Sequence, residues 1–215
     1  GIDVDLNLQT DKDAKFKILL DAGSQDALNI QGEAELNAGV DASGKITMSG
    51  TFTVERGSYS FSFGPVSRDF KFQKGSTITW TGEPTTALLN ITAVYKTETA
   101  PIDLVEQQLS GESNTTLNQF KQRIPFNTLL KMNGKLLKPE ISFDITTDEK
   151  NNSVSSTITD IVDQKLSQIR TQESELNKQV FALLLLNRFI GENPFESSAG
   201  LSAEAMARQS VSKIL

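Results

Sequence analysis

The chain has 215 residues, a formal net charge of −6, and neither cysteine nor histidine. Without these two residue types it has no disulfide bonds, thiolate nucleophiles, histidine-based triads or zinc sites of the usual kind, and we expect no cofactor and no metal. The negative charge excludes nucleic acid as a partner because phosphates would be repelled, and it argues weakly against docking on an anionic lipid surface.

Apolar and polar residues alternate along the first two thirds of the chain. In the segment 45–54, the even positions Ile46, Met48, Phe52 and Val54 are apolar, whereas the odd positions are lysine, serine or threonine. A period of two predicts a strand with one wet face and one apolar face. The pattern recurs up to about residue 146 with turn signals between the runs, which predicts one long sheet with a continuous apolar side.

Several local signals predict how the chain turns. The apolar positions change from even to odd across Arg56-Gly57, which predicts a hairpin at Gly57. The segment Gly39–Ile46 nearly matches a phosphate-binding loop, but it ends in Ile46 where that motif needs serine or threonine, so a plain hairpin turn is predicted. Other turns are predicted at Lys74-Gly75, Gly82–Pro84 and Asn133-Gly134. The polar stretch 98–122 predicts a long loop or a short inserted helix.

The apolar period becomes helical after residue 147. Thr157 and Asp160 resemble a capping box at the start of a helix that runs to about residue 169. A second helix is predicted over Glu175–Ile190, with Gly191 as its C-terminal cap, and a third over 203–214. We therefore predict a β region over 1–146 and a helical region over 147–215. Both ends look cut, so we expect a fragment of a longer protein.

Two apolar features are the candidate functional sites. The first is the apolar face of the sheet, which is either a closed core or an open groove for acyl chains, because both need the same pattern. Its candidate residues are Ile46, Met48, Phe52, Val54, Tyr59, Phe61, Phe63, Phe70, Phe72, Ile78, Trp80, Leu89 and Ile91. The second is a helix that is apolar on every side, which predicts either a plug for the sheet or a surface for a partner. Its residues are Val180, Phe181, Leu183, Leu184, Leu185 and Leu186.

The order of motifs resembles the C-terminal domain of the TamB family. A Gly-x-Tyr strand begins at Gly57, a Phe-rich strand contains Phe70 and Phe72, and a Gly-Ser-x-Ile-x-Trp-x-Gly-x-Pro segment spans 75–84. The next strand, at 89–95, ends in Ala-x-Tyr. The segment 175–189 is similar to a helical insertion that one branch of this family carries. The resemblance covers roughly residues 45–189.

The resemblance implies an all-β fold with C-terminal helices, in which the sheet forms an elongated β-taco with an apolar groove. It also implies the periplasm of a diderm bacterium, with an anchor in the inner membrane through an N-terminal segment. The partners implied are phospholipid and an outer-membrane barrel of the BamA type with POTRA domains. The roles implied are phospholipid transport and outer-membrane protein assembly, without enzyme activity.

Three functions remain open from the sequence. The apolar face holds and passes acyl chains, or the domain is a docking scaffold that offers a strand edge or the leucine-rich helix to a barrel protein. The third, an outer-membrane barrel with its apolar face towards lipid, is disfavoured by the predicted helices and the short strands.

Overall fold

The computed structural model describes residues 4–19, 27–63, 65–148 and 154–191. In this part of the chain, nine strands form one sheet and four α-helices accompany it. The strands are β1 (Val4–Gln9), β2 (Lys15–Leu19), β3 (Ala27–Val40), β4 (Ile46–Phe63), β5 (Val66–Phe72), β6 (Thr77–Gly82), β7 (Leu88–Thr99), β8 (Ile124–Lys135) and β9 (Lys138–Thr147). The helices are α1 (Ile102–Val105), α2 (Asn114–Phe120), α3 (Ser156–Arg170) and α4 (Glu173–Leu186). The all-β prediction with C-terminal helices is confirmed.

The strands follow a simple antiparallel order. The path through the sheet is β1-β3-β4-β5-β7-β8-β9. β1 and β2 lie along the same side of β3, beside its second and first halves respectively. β5 and β6 likewise lie along one side of β4, and both also pair with β7. The β3–β4 and β8–β9 hairpins therefore close at one end of the sheet, and α1 to α4 follow strands that finish at the other end.

A line of irregularities, which we call the crease, crosses the sheet at Gln31–Gly32, Glu55–Arg56 and Gln73–Ser76. Between Gln31 and Gly32 the register with β4 shifts, so that Glu55 is an extra residue. In the neighbouring row, Gly75 N donates to Val54 O at 2.9 Å and Val54 N donates to Ser76 O at 2.8 Å. Such bulges bend a strand and increase its twist. The sheet therefore changes direction along this line.

The predicted hairpin at Gly57 is wrong, because β4 runs without reversal from Ile46 to Phe63. The bulge causes the change of alternation instead. One inserted residue shifts the alternation from even to odd while leaving the apolar side chains on the same face. A pattern change alone cannot distinguish these two causes. The turn at Lys74-Gly75 is present, but β6 continues in the direction of β5 after it.

Two further turn and helix predictions need correction. The β8–β9 turn is formed by Leu136 and Leu137 rather than by Asn133-Gly134, which lies within β8. The cap of α3 is Ser155, whose side chain accepts a hydrogen bond from Ile158 N, so Thr157 lies inside the helix.

Helix α4 also differs from its predicted bounds. It begins at Glu173 and ends at Leu186, where Asn187 adopts the left-handed conformation in place of the expected Gly191. Asparagine tolerates this conformation better than most residues. The polar stretch 98–122 contains the short helices α1 and α2, which agrees with the prediction of an inserted helix rather than a long loop. The predicted helix over 203–214 lies outside the described residues.

Candidate functional site: an apolar face across the sheet

Strand pairing carries one apolar face from β1 to β9. Residues directly opposite each other on neighbouring strands point to the same side of a sheet. The pairs that carry the face across are Leu8 with Leu36, Ala34 with Phe52, Phe52 with Ile78, Ile78 with Leu89, Ile91 with Met132, and Met132 with Ile141. The face is therefore continuous, although individual strands are short.

The predicted groove residues all lie in β4 to β7, and for each of them except Phe63 the register places the side chain on this face. Most of them are buried, namely Phe52, Val54, Tyr59, Phe61, Phe70, Phe72, Leu89 and Ile91. Met48, Ile78 and Trp80 are half-buried, and Ile46 is 51% exposed. Phe63 is the last residue of β4, and its side chain lies outside the described ones. The structure thus brings the predicted set together, but it covers different members to different extents.

Helix α4 and the residues that follow it, 187–190, cover the apolar face at the helix end of the sheet, which we call the closed half (Phe61 in β4, Phe70 in β5, Phe126 in β8, and Phe143 and Ile145 in β9). The rings of Phe143 and Phe181 meet edge to face with centroids 5.7 Å apart. The rings of Phe126 and Phe189 do the same at 4.8 Å. In the predicted plug segment, Val180, Phe181, Leu183 and Leu184 are buried, Leu185 is half-buried and Leu186 is 54% exposed. Most of the apolar surface of the helix is therefore buried against the sheet.

Polar contacts fix the C-terminal end of α4 to the sheet. Arg68 lies on the apolar face opposite Phe61, and its Nε donates to Leu184 O at 2.7 Å. The Tyr95 hydroxyl donates to Asn187 Oδ1 at 3.0 Å. A cation that binds the last carbonyls of a helix also interacts favourably with the helix dipole. Arg68 was missed from the sequence, although an arginine at an apolar position between Val66 and Phe70 is a visible irregularity.

The segment after α4 folds back onto the helix. Gln179 Nε2 donates to Ile190 O at 2.8 Å, and Ile190 N donates to Gln179 Oε1 at 3.1 Å. Because Gln179 is buried, this pair satisfies both polar ends of its amide. The pair holds Phe189 close to the helix end, where its ring reaches Phe126.

The other part of the apolar face is uncovered, and we call it the open half (Val4, Leu6, Leu8, Val40, Ile46 and Met48). In β1, Val4 is 53% exposed and Leu6 is 61% exposed. Val40 and Ile46, which pair with each other at the start of the β3–β4 hairpin, are 38% and 51% exposed. A contiguous exposed apolar surface of this kind marks a binding site more often than a bare monomer surface. The alternation in β1 was visible in the sequence, but its exposure was not.

The two edges of the sheet differ. Along β9, the Arg170 guanidinium donates to Ile145 O at 2.7 Å and pairs with Asp144 at 2.8 Å. Helix α3 therefore occupies part of that edge. Along the outer side of β1, no strand is paired within residues 4–19, 27–63, 65–148 and 154–191. An unpaired edge presents backbone donors and acceptors to an added strand.

The near match to a phosphate-binding loop is a hairpin turn. The Ser43 hydroxyl and the backbone N–H groups of Lys45 and Ser43 donate to the Asp41 carboxylate, which lowers the pKa of Asp41 below its ordinary value. These donors are thus used by the turn itself. In the described ranges no group of three or more acidic side chains is placed to hold a metal ion.

The crease carries its own ion pair. Lys74 Nζ donates to Glu55 Oε1 at 2.9 Å, and this hydrogen bond lowers the pKa of Glu55. The pair ties the extra residue of β4 to the turn between β5 and β6. A pocket of about 490 Å³ opens beside it, lined by Lys15, Phe16, Asn29, Ile30, Gln31, Arg56, Gly57, Ser58 and Lys71.

Comparison with known proteins agrees with the motif order and the architecture. No curated protein matches the chain. Among the described residues, no helix has the length and apolar character needed to cross a membrane. The family model described as the TamB C-terminal domain matches residues 1–215, the whole chain. The chain therefore belongs to the TamB C-terminal domain family.

Proposed function

We propose that the apolar face holds phospholipid acyl chains and passes them towards the outer membrane. In this proposal the chain is the periplasmic part of a TamB-like protein, anchored in the inner membrane, that also supports outer-membrane protein assembly. The observation that supports it is the apolar face, which strand pairing carries without interruption from β1 to β9 and which is exposed at β1. Membership of the family supports the broader setting, an envelope component of TamB type, and in our proposal the chain has no enzyme activity.

Retention of lipid on this face needs no polar anchor. Burial contributes about 0.8 kcal/mol for each methylene, so a chain of about 14–16 carbons gains a large gross stabilisation before ordering costs. Because the open half offers apolar side chains on neighbouring strands, a chain keeps similar contacts as it slides. Head groups stay at the wet rim of the sheet.

The closed half has no room for an acyl chain while α4 is in place. Phe61 is 2% exposed, and Phe126 and Ile145 are fully buried. An interior packed to this density has few voids larger than a water molecule. We therefore place the acyl chains on the open half and assign α4 the role of a plug that must move before lipid advances over the closed half.

The test uses Leu6→Asp, because Leu6 is exposed and the substitution should leave the fold intact. Native mass spectrometry with lipid extraction should find lipid on the purified chain and little on the variant. The matched control is Gln9→Glu, which adds the same charge to an exposed position on the polar face of β1. A wild-type chain that carries no lipid and takes up no added fatty acid would refute lipid carriage.

The edge of β1, which pairs with no strand in the described part of the chain, favours a second candidate, a docking scaffold for a barrel protein of the BamA type with POTRA domains. Strand addition uses backbone groups more than side chains. Leu6→Asp should then preserve partner binding in a pull-down even where it removes lipid. Loss of the partner with retention of lipid would mean that the apolar side chains of β1 bind the partner rather than lipid.

A further inference from the structure

The turn between β8 and β9 exposes two adjacent leucines. Leu136 is 39% exposed and Leu137 is 69% exposed. They form a two-residue connection between Lys135 and Lys138, which pair directly across the strands. Leu136 N donates to Ala87 O at 2.8 Å, so the turn is tied to the start of β7. The exposed leucines are therefore held on a fixed part of the sheet.

Three features of this turn oppose the usual requirements of folding. Tight turns favour glycine, asparagine, aspartate, proline and serine, whereas this one consists of leucines. Large apolar side chains are exposed at its apex. Like charges that face each other across two strands are destabilising, and within the described residues neither Lys135 nor Lys138 forms an ion pair. Local rules are broken together mainly where a surface has another task.

A third exposed leucine belongs to the same surface. Leu88 is 47% exposed and pairs with Lys135, so it stands in one row with both lysines. We call these residues the leucine tip (Leu88, Lys135, Leu136, Leu137 and Lys138). The tip lies at the end of the sheet away from the helices. It is separate from the apolar face, because Leu88 and Leu89 point to opposite sides of β7.

We propose that the leucine tip docks into the surface of a bilayer that contains anionic phospholipid. The leucines enter the boundary between head groups and acyl chains, and the flanking lysines meet the phosphates above them. Amphipathic surfaces bind membranes through this combination of shallow apolar burial and electrostatic attraction. The stems of Lys135 and Lys138 reach far enough to lie along the interface.

The net charge of the chain does not oppose this local contact. The chain as a whole carries −6, whereas the tip carries two positive charges, and the nearest acidic residue along β9 is Glu140, two residues after Lys138. Charges further away than about 10 Å are screened at moderate ionic strength. The attraction between the tip lysines and the lipid phosphates therefore acts at contact. The negative net charge of the chain keeps the binding weak and dependent on salt.

Vesicle flotation tests the proposal with vesicles of phosphatidylcholine mixed with phosphatidylglycerol, and with vesicles of phosphatidylcholine alone. The wild-type chain should float with the mixed vesicles. Leu136→Ser with Leu137→Ser should reduce the bound fraction about tenfold, since interfacial binding scales with buried apolar area. Lys135→Gln with Lys138→Gln should weaken binding to the mixed vesicles and remove most of its salt dependence.

Two controls separate the tip from the rest of the molecule. Leu186→Ser removes a leucine of similar exposure, 54%, from the helix end of the chain and should leave flotation unchanged. Native mass spectrometry should find the same lipid on the serine variant as on the wild-type chain, so failure of lipid carriage and failure of membrane docking are distinguishable. Equal flotation of the serine variant and the wild-type chain would overturn the proposal. So would binding of the wild-type tip to a purified protein partner together with no flotation on either vesicle.

Discussion

Gly50 is the residue at which the apolar face is most sensitive to a single atom. It lies in the middle of β4 with φ +118°, between Leu36 on one neighbouring strand and Trp80 on the other. A Cβ built at this position would lie 2.0 Å from Glu35 O. Both the backbone conformation and the space therefore require glycine.

Gly50→Ala should lower the free energy of unfolding by about 3 kcal/mol, because strain at such a position adds to a clash with backbone. Denaturant unfolding followed by circular dichroism measures the change. Gly82→Ala is the control, since Gly82 lies in β6 and a Cβ there meets nothing within 4 Å. An equal loss in both variants would show that the effect is a general loss of glycine rather than strain at Gly50.

Single residues decide where sequence prediction succeeded and where it failed. The alternation placed Phe52 and Trp80 on the correct face, because a period of two follows directly from strand geometry. It failed at Glu55, because one extra residue and a chain reversal change the alternation in the same way. It also missed Leu136 and Leu137 as a turn, since Asn133-Gly134 carries the stronger turn signal and apolar turns have none.

Favourable contacts hold helix α4 to the sheet, and unfavourable ones lie beside them. Arg68 and Tyr95 bind its C-terminal end, as described above. Beside them, the hydroxyls of Thr97 and Thr128 are buried and have no hydrogen-bond partner among the described residues. A buried unsatisfied polar group costs about 1–3 kcal/mol. In the proposed plug role, release of α4 would let water reach these hydroxyls and recover this cost.

Arg68→Met should loosen α4 by removing a charged hydrogen bond to Leu184 O, worth about 1.5–3 kcal/mol. Hydrogen exchange of the α4 amides should become faster, while the exchange of β3 and β4 stays close to that of the wild-type chain. Arg188→Met is the control, because Arg188 is exposed beside the helix end. Thr128→Val should have the opposite effect and slow the exchange. Faster exchange throughout the sheet would mean that Arg68 supports the whole fold instead.

The existence of the helices was predictable, but their role was less so. A run of leucines after a change of period predicts a helix, and full burial of Leu183 and Leu184 follows from an apolar character on all sides. The helix end was predicted too late because Gly191 is the stronger cap signal, whereas Asn187 is selected by its contact with Tyr95. Such a contact joins residues far apart in the chain and leaves no local pattern.

At the scale of the whole molecule, one apolar face is divided between a covered and an uncovered half. The sequence predicted the continuous face and left open whether it was a core or a groove. Both arrangements occur in the structure, because α4 and the residues that follow it cover the closed half and leave the apolar side of β1 exposed. The period of the pattern is the same in both halves, so no inspection of alternation could have divided them. The division depends on where a helix docks.

This division makes a prediction for a fatty acid with a photoreactive group at the end of its chain. In the wild-type chain, crosslinks should form on peptides that contain Leu6 and Met48, because these residues are at least partly exposed. Peptides that contain Phe143 should be labelled weakly, since α4 excludes the acyl chain from them. Mass spectrometry of the digested protein measures both. Arg68→Met should raise the labelling of Phe143 peptides severalfold, in proportion to the population in which α4 is released.

Thr128→Val should lower that labelling, because it favours the closed arrangement without touching the open half. Labelling of the Leu6 and Met48 peptides should be the same in both variants, which provides an internal reference. If Phe143 peptides are labelled equally in the two variants, movement of α4 does not control access to the closed half. The plug role would then be wrong. Helix α4 would be a fixed part of the core, and only the open half of the apolar face would carry lipid.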